Sequence, residues 1–207
     1  MTRKRHGYFI TFEGPEGSGK STQIRRAAVV LRKKGRAVLL LREPGGTRIS
    51  EAIRKIILDK KLMEMKPETE LLLYLAARAQ IVWEKILPAL QKGKIVICDR
   101  YEDSTLAYQG YGRGMDLEAI LEISRKIVRR NCVPNLTFLL NIDPKQGMKR
   151  GGRHDRMERQ SYLFHKRVQQ GFLKLAKQNP KRFRVIDSQK SIEEVAGKIK
   201  EVLNRVF

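Results

Sequence analysis

Gly14-Pro15-Glu16-Gly17-Ser18-Gly19-Lys20-Ser21 fits the pattern GxxxxGK[ST], and it falls where a hydrophobic strand, Tyr8-Phe9-Ile10-Thr11-Phe12, hands over to a helix. The helix expected from about Gly19 to Lys34 carries Ile24, Ala27, Ala28 and Leu31 at helical spacing. Strand, glycine-rich turn and helix together predict a nest for phosphate. Glycines let successive backbone N–H groups turn inward, and the helix N-terminus adds partial positive charge. Lys20 supplies a mobile point charge for β- and γ-phosphates, and Ser21 offers a hydroxyl to Mg²⁺.

Working outward, strands and helices alternate. Further strands are expected at 37–41, 94–98, 136–142 and 183–186. Helices are expected at 49–58, from Pro67 to about Leu90, and at about 102–110, 117–130, 157–177 and 191–205. Such alternation implies an α/β, three-layer P-loop NTPase fold: a five-stranded parallel sheet flanked by helices, with ligands collecting beyond the carboxyl ends of the strands. With no repeat or interdomain linker, residues 1–207 read as one domain. The Gly-rich, charged stretch Lys149–Glu158 reads as a short mobile loop.

The chain carries 44 Lys and Arg against 22 Asp and Glu, a net +22. Residues 1–100 contribute 22 − 10 = +12 and residues 101–207 contribute 22 − 12 = +10, so the excess is diffuse and does not form one basic tail. A diffuse excess reads as a solvated surface and argues against nucleic acid as the main partner, and a polyanionic small substrate fits the charge equally well. No apolar run is long enough for a secretory leader or a membrane span. Cys98 and Cys132 lack metal-ligand spacing, which fits a reducing cytoplasm, and the three histidines form no cluster in sequence.

The strand ends carry the remaining signals. Arg42-Glu43-Pro44-Gly45-Gly46-Thr47-Arg48 is a rigid turn after the second strand. Asp99-Arg100-Tyr101 ends the third. A carboxylate there can hold Mg²⁺ or its waters, and the adjacent Arg can meet a phosphate with two prongs; a structural Asp–Arg ion pair competes with that reading. Tyr74 and Arg78, four apart on a helix, offer an aromatic plane beside a guanidinium. Ser104 with Tyr108, and Thr105 with Gln109, align in the same way and present donors and acceptors suited to a base edge.

Taken in order, GPEGSGKST (14–22), LREPGGT (41–47), YLAARAQ (74–80), DRYEDSTLAYQGYGRG (99–114) and DRME (155–158) resemble bacterial thymidylate kinase over nearly the whole chain. The resemblance implies phosphoryl transfer from ATP to dTMP with Mg²⁺, commonly in a homodimer. It implies that residues 14–22 (Gly14, Pro15, Glu16, Gly17, Ser18, Gly19, Lys20, Ser21, Thr22) bind ATP, and that Ser21 and Asp99 attend the metal. Glu16 would lie near the deoxyribose 3′-hydroxyl, Arg100 would meet the acceptor phosphate, and Arg78 with Gln109 or Thr105 would attend the thymine. Ser104 joins this set, Tyr108 would crowd the 2′ position, and Tyr74 stands where the family typically stacks a Phe. The stretch 149–158 matches the lid. With Pro15 and Glu16 inside the phosphate loop, transition-state charge falls to Arg150 and Arg153, with Arg156 in reserve. A kinase of another nucleotide or nucleoside, and a nucleotide-binding regulatory or nucleic-acid-associated protein, are the alternative readings.

Overall fold

A computed structural model describes residues 7–151 and 155–207. Five strands form one parallel sheet: β1 (Tyr8–Glu13), β2 (Val38–Arg42), β3 (Ile95–Asp99), β4 (Leu136–Asn141) and β5 (Phe183–Asp187), in the spatial order β2-β3-β1-β4-β5. β1 lies at the centre, with Thr11 level with Cys98 on one side and with Thr137 on the other. The expected α/β sheet is therefore present.

Both faces of the sheet are buried along its three inner strands, β3, β1 and β4, which explains why these are nearly continuous apolar runs. Side chains alternate between the faces. Ile10, Phe12, Ile97, Phe138 and Leu140 pack under α1 (Lys20–Lys33) and the carboxyl-terminal helix (Ile192–Val206). Phe9, Val96 and Cys98 face the opposite layer, as does Leu139.

That opposite layer begins after β2 with α2 (Arg48–Leu58), capped by Thr47, whose hydroxyl accepts from Ser50 N. Next comes α3 (Pro67–Ile81), with Pro at its first turn; it runs through a wider π-type turn (Val82–Ile86) into α4 (Leu87–Gln91). After β3 come α5 (Glu102–Thr105), which widens likewise over Leu106–Gly112, and α6 (Leu117–Ile123), which widens over Ser124–Val128.

Two stretches differ from the sequence expectation. Pro144–Gly151 is a helix, α7, so Lys149 and Arg150 lie on it. Asp143 accepts from Lys145 N at 2.9 Å and Pro144 sits in the first turn, which offsets the poor helix propensity of the two glycines. The next helix, α8 (Tyr162–Gln178), starts five residues later than expected, because Ser161 caps it by accepting from Phe164 N. Met157–Gln160 forms a turn instead. The last helix, α9 (Ile192–Val206), begins with a reciprocal cap between Ser191 and Glu194. No helix among the described residues is long and apolar enough to cross a membrane.

Candidate active site

Sequence motifs converge at the carboxyl tips of β1, β2 and β3. The phosphate loop leaves β1 and turns at Gly17, whose φ is +70°. A side chain there would collide with the Gly147 carbonyl of α7, and a side chain on Gly147 would meet the Glu16 carbonyl. Glycine on both sides lets helix and loop touch backbone to backbone.

Lys20 is buried, and its ammonium donates to Gly14 O at 3.1 Å, Pro15 O at 2.9 Å and Ser18 Oγ at 3.3 Å. Burial pulls its pKa down to about 8, and the nearby Arg100 cation adds to the fall. Beside it, Ser21 Oγ donates to Asp99 Oδ2 at 3.1 Å. A hydroxyl and a carboxylate paired at a strand tip form an all-oxygen donor set suited to a hard divalent cation.

Arg100 adopts φ +68°, a conformation that costs a non-glycine residue about 1–3 kcal/mol. Two bonds hold it: Arg100 N donates to Phe12 O, and the following amide, Tyr101 N, donates to Glu13 Oε1 at 2.8 Å. The guanidinium is thereby aimed between the phosphate loop and α5. It donates to Glu16 Oε1 at 2.7 Å, Gly14 O, Ser104 Oγ and Tyr108 OH. Burial alone would raise Glu16, but Arg100 and Lys20 override it and bring the carboxyl to about 2. Glu16 is therefore an anion throughout the neutral range.

A second buried pair lies alongside. Arg78 Nε donates to Glu43 Oε2 at 2.6 Å and Nη1 to Thr105 Oγ1 at 2.8 Å, while Glu43 Oε1 is buried with no hydrogen-bond partner among the described residues. Burial raises the Glu43 carboxyl in spite of Arg78, yet the short contact is that of a charge-assisted bond and Glu43 holds Arg78 above its ordinary value, so the pair is ionised.

These groups line two cavities. One, of about 680 Å³, is bounded by Tyr74, Arg78, Arg100, Thr105, Tyr108 and Gln109, with Ser104, Asp155 and Met157 among the rest. The other, of about 790 Å³, is bounded by residues 16–22 of the phosphate loop, Asp99 and Arg42. Glu16, Glu43, Arg54 and Arg100 belong to both and form the wall between them. Two pockets meeting at a wall that bears two guanidinium groups can bring two anionic ligands end to end.

The matching family model, described as thymidylate kinase, covers residues 12–199. The chain belongs to the thymidylate kinase family. It is 49% identical to the thymidylate kinase of Geobacter sulfurreducens, over 97% of this chain and 98% of that one. With the enzyme of Thermoanaerobacter sp. (strain X514) it shares 45%, over 96% and 98%. A solved structure of thymidylate kinase from Ehrlichia chaffeensis superposes with a TM-score of 0.78 at 36% identity, covering 96% of this chain and 99% of that one.

Within this family member the structure redistributes several expected residues. Arg156, held in reserve as a lid residue, is fully buried: Nη1 pairs with Glu70 at 2.6 Å and Nε donates to Ile57 O. It tethers the segment to α2 and α3 and lines neither cavity. Arg150 lines neither cavity and donates to Ser188 O at 3.0 Å, at the turn after β5. Arg153 lies outside the described residues. Arg54 was missed because it sits on an ordinary amphipathic helix with no motif around it; only the packing of α2, with Arg54 Nη1 fixed on Pro44 O, brings it to the shared wall.

Proposed function

We propose that this chain transfers the γ-phosphoryl group of ATP to dTMP, giving dTDP and ADP, with the donor in the phosphate-loop cavity and the acceptor in the cavity lined by Tyr74. The observation that carries the assignment is the wall shared by the two cavities, on which Arg54 and Arg100 stand beside Lys20. Residues 14–22 cradle the ATP phosphates, Lys20 neutralising charge on the transferred group. Arg100 and Arg54 bind the acceptor phosphate. Tyr74 stacks the base while Arg78, Thr105 and Gln109 attend its edge. Tyr108 crowds the 2′ position and Glu16 lies near the 3′-hydroxyl, with Ser104 holding Arg100. Ser21 and Asp99 would hold Mg²⁺, which supplies charge neutralisation across the phosphates.

The acceptor phosphate is already a nucleophile near neutral pH, so this chain needs no strong base. Its residues contribute alignment and positive charge fixed before reaction. Arg150, at the carboxyl end of α7, and Arg153 beyond it would add charge to the transition state in the manner of an internally supplied arginine finger, Arg150 leaving Ser188 O to do so. The enzyme works in the cytoplasm as a single domain that pairs with a second copy. The apolar side chains of Leu72, Trp83 and Ile127, each more than half exposed on neighbouring segments, support that pairing.

ADP release measured with dTMP, dUMP, dCMP, dGMP and thymidine tests the assignment. dTMP gives the highest kcat/KM; preference for another member of the panel overturns it. Retention on DNA or RNA without nucleotide turnover favours the nucleic-acid-associated alternative.

A further inference from the structure

Glu70 stands one turn before Tyr74 and two before Arg78, so all three share a face of α3. It does not line the acceptor cavity, yet its carboxylate is wholly buried and accepts from three directions. Gln109 Nε2 donates to Oε1 at 2.9 Å, Arg113 donates Nη2 to Oε2 at 2.9 Å and Nε to Oε1 at 3.2 Å, and Arg156 Nη1 pairs with Oε2 at 2.6 Å. These partners hold its carboxyl below the ordinary value although burial pushes the other way.

An ionised carboxylate only accepts hydrogen bonds, so a carboxamide beside it must turn its NH₂ group inward. Gln109 is 1% exposed and lines the acceptor cavity. Reversing it would set its carbonyl oxygen against the Glu70 carboxylate with no proton between them, and the amide oxygen would lose its place at the cavity.

We infer that Glu70 is a positioning residue for base selection: it locks the Gln109 amide so that its carbonyl oxygen faces the acceptor cavity and requires a ring N–H on the incoming base. Thymine and uracil carry that donor at N3. Cytosine presents a bare acceptor at the same atom and meets an oxygen with no proton between them. Selection against cytosine thus originates in a carboxylate behind the pocket wall, which touches no substrate. The inference rests on the dTMP reading of this cavity.

Steady-state kinetics with dTMP, dUMP, dCMP and N3-methyl-dTMP, on wild type and Glu70→Gln, tests it. Wild type is expected to favour dTMP over both dCMP and N3-methyl-dTMP by about 10³-fold or more in kcat/KM, since a site built around a hydrogen bond rejects analogues that lack it. The replacement carboxamide can donate or accept, so the Gln109 amide is released to turn either way. The dTMP-to-dCMP ratio then falls by about 10- to 100-fold, mostly through the KM for dTMP, while the dTMP-to-dUMP ratio is unchanged. A smaller folded fraction scales every substrate alike and leaves both ratios untouched. If Glu70→Gln alone does not fold, Glu70→Gln with Arg156→Met removes the more deeply buried of the two cations left behind and is read in the same way. Wild-type turnover of dCMP within about tenfold of dTMP, or a variant that keeps the wild-type ratio, overturns the inference and leaves the dTMP reading standing; absence of dTMP turnover in wild type overturns that reading itself.

Discussion

The substitution Glu13→Gln should abolish a specific pH dependence of stability. Glu13 is wholly buried at the tip of β1, where its carboxyl accepts from Tyr101 N at 2.8 Å and from Ser104 Oγ at 2.6 Å. Burial first, and the neighbouring Asp103 second, push it from the ordinary 4.5 up to about 8, against the opposing pull of Ser104, Arg100 and Arg78. The folded state therefore grips this proton more tightly than the unfolded chain. The stabilisation is fully present below about pH 4.5 and is lost as pH rises through about 8. At roughly 1.4 kcal/mol per pH unit the upper limit of the loss is about 5 kcal/mol, and interior relaxation brings the expectation to about 3. The glutamine side chain has nearly the shape of the protonated acid and can keep the Tyr101 bond, so variant and wild type should match at pH 5. By pH 8.5 the variant should be the more stable. Urea unfolding followed by circular dichroism across pH 5–9 reads this as a gap in midpoint that opens to about 1–2 M. A gap that stays constant over the whole range would show that Glu13 does not carry an excess proton in the fold and would refute the reasoning.

Three further outcomes are expected. Lys20→Ala should lower kcat by about 10³-fold or more with an unchanged circular dichroism spectrum, because it removes charge from the transferred group and no packing apolar core; turnover within tenfold of wild type would refute that role. Arg54→Ala should raise the KM for dTMP well beyond that for ATP, by about 10- to 100-fold from the loss of one charged hydrogen bond; an equal rise for both would refute a role on the acceptor phosphate, and a larger rise for ATP would place Arg54 on the donor side. Ser191→Ala removes the reciprocal cap of α9 and should cost about 1 kcal/mol, measured by urea unfolding, with kcat unaltered; no change in midpoint would mean that Glu194 alone caps the helix.

The sheet and the phosphate loop were legible because each has a local cause: apolar runs of strand length, and a glycine spacing that only one turn geometry satisfies. Helix α7 was not, although Asp143-Pro144 is an ordinary start signal; its glycines and charges resemble a loop until the backbone contact between Gly147 and the phosphate loop is known. The π-type widenings after α3, α5 and α6 leave no mark in a 3.6-residue pattern. Tyr74, Arg78, Thr105 and Gln109 were legible as paired positions on helices, and they do line one cavity. Glu13, Glu70 and Arg54 carry no motif. What each does depends on partners far along the chain, through contacts such as Glu13 with Tyr101 and Glu70 with Arg156, which one-dimensional periodicity cannot reach. The burial of Arg156 was illegible for the same reason, since a basic residue in a basic segment reads as solvated until its buried carboxylate partner appears.

Arg182, just ahead of the edge strand β5, grips Asp103 of α5 with two bonds of 2.6 and 2.9 Å and also donates to Thr137 on β4. Edge strands are ordinarily the first to fray. Here fraying would take Arg182 away from a carboxylate that is 3% exposed, one residue from Ser104 and two from Thr105. These contacts link the periphery of the sheet to the cavity that Thr105 lines, so amide exchange in β5 should slow whenever a nucleotide settles beside Thr105, some distance from any atom it touches.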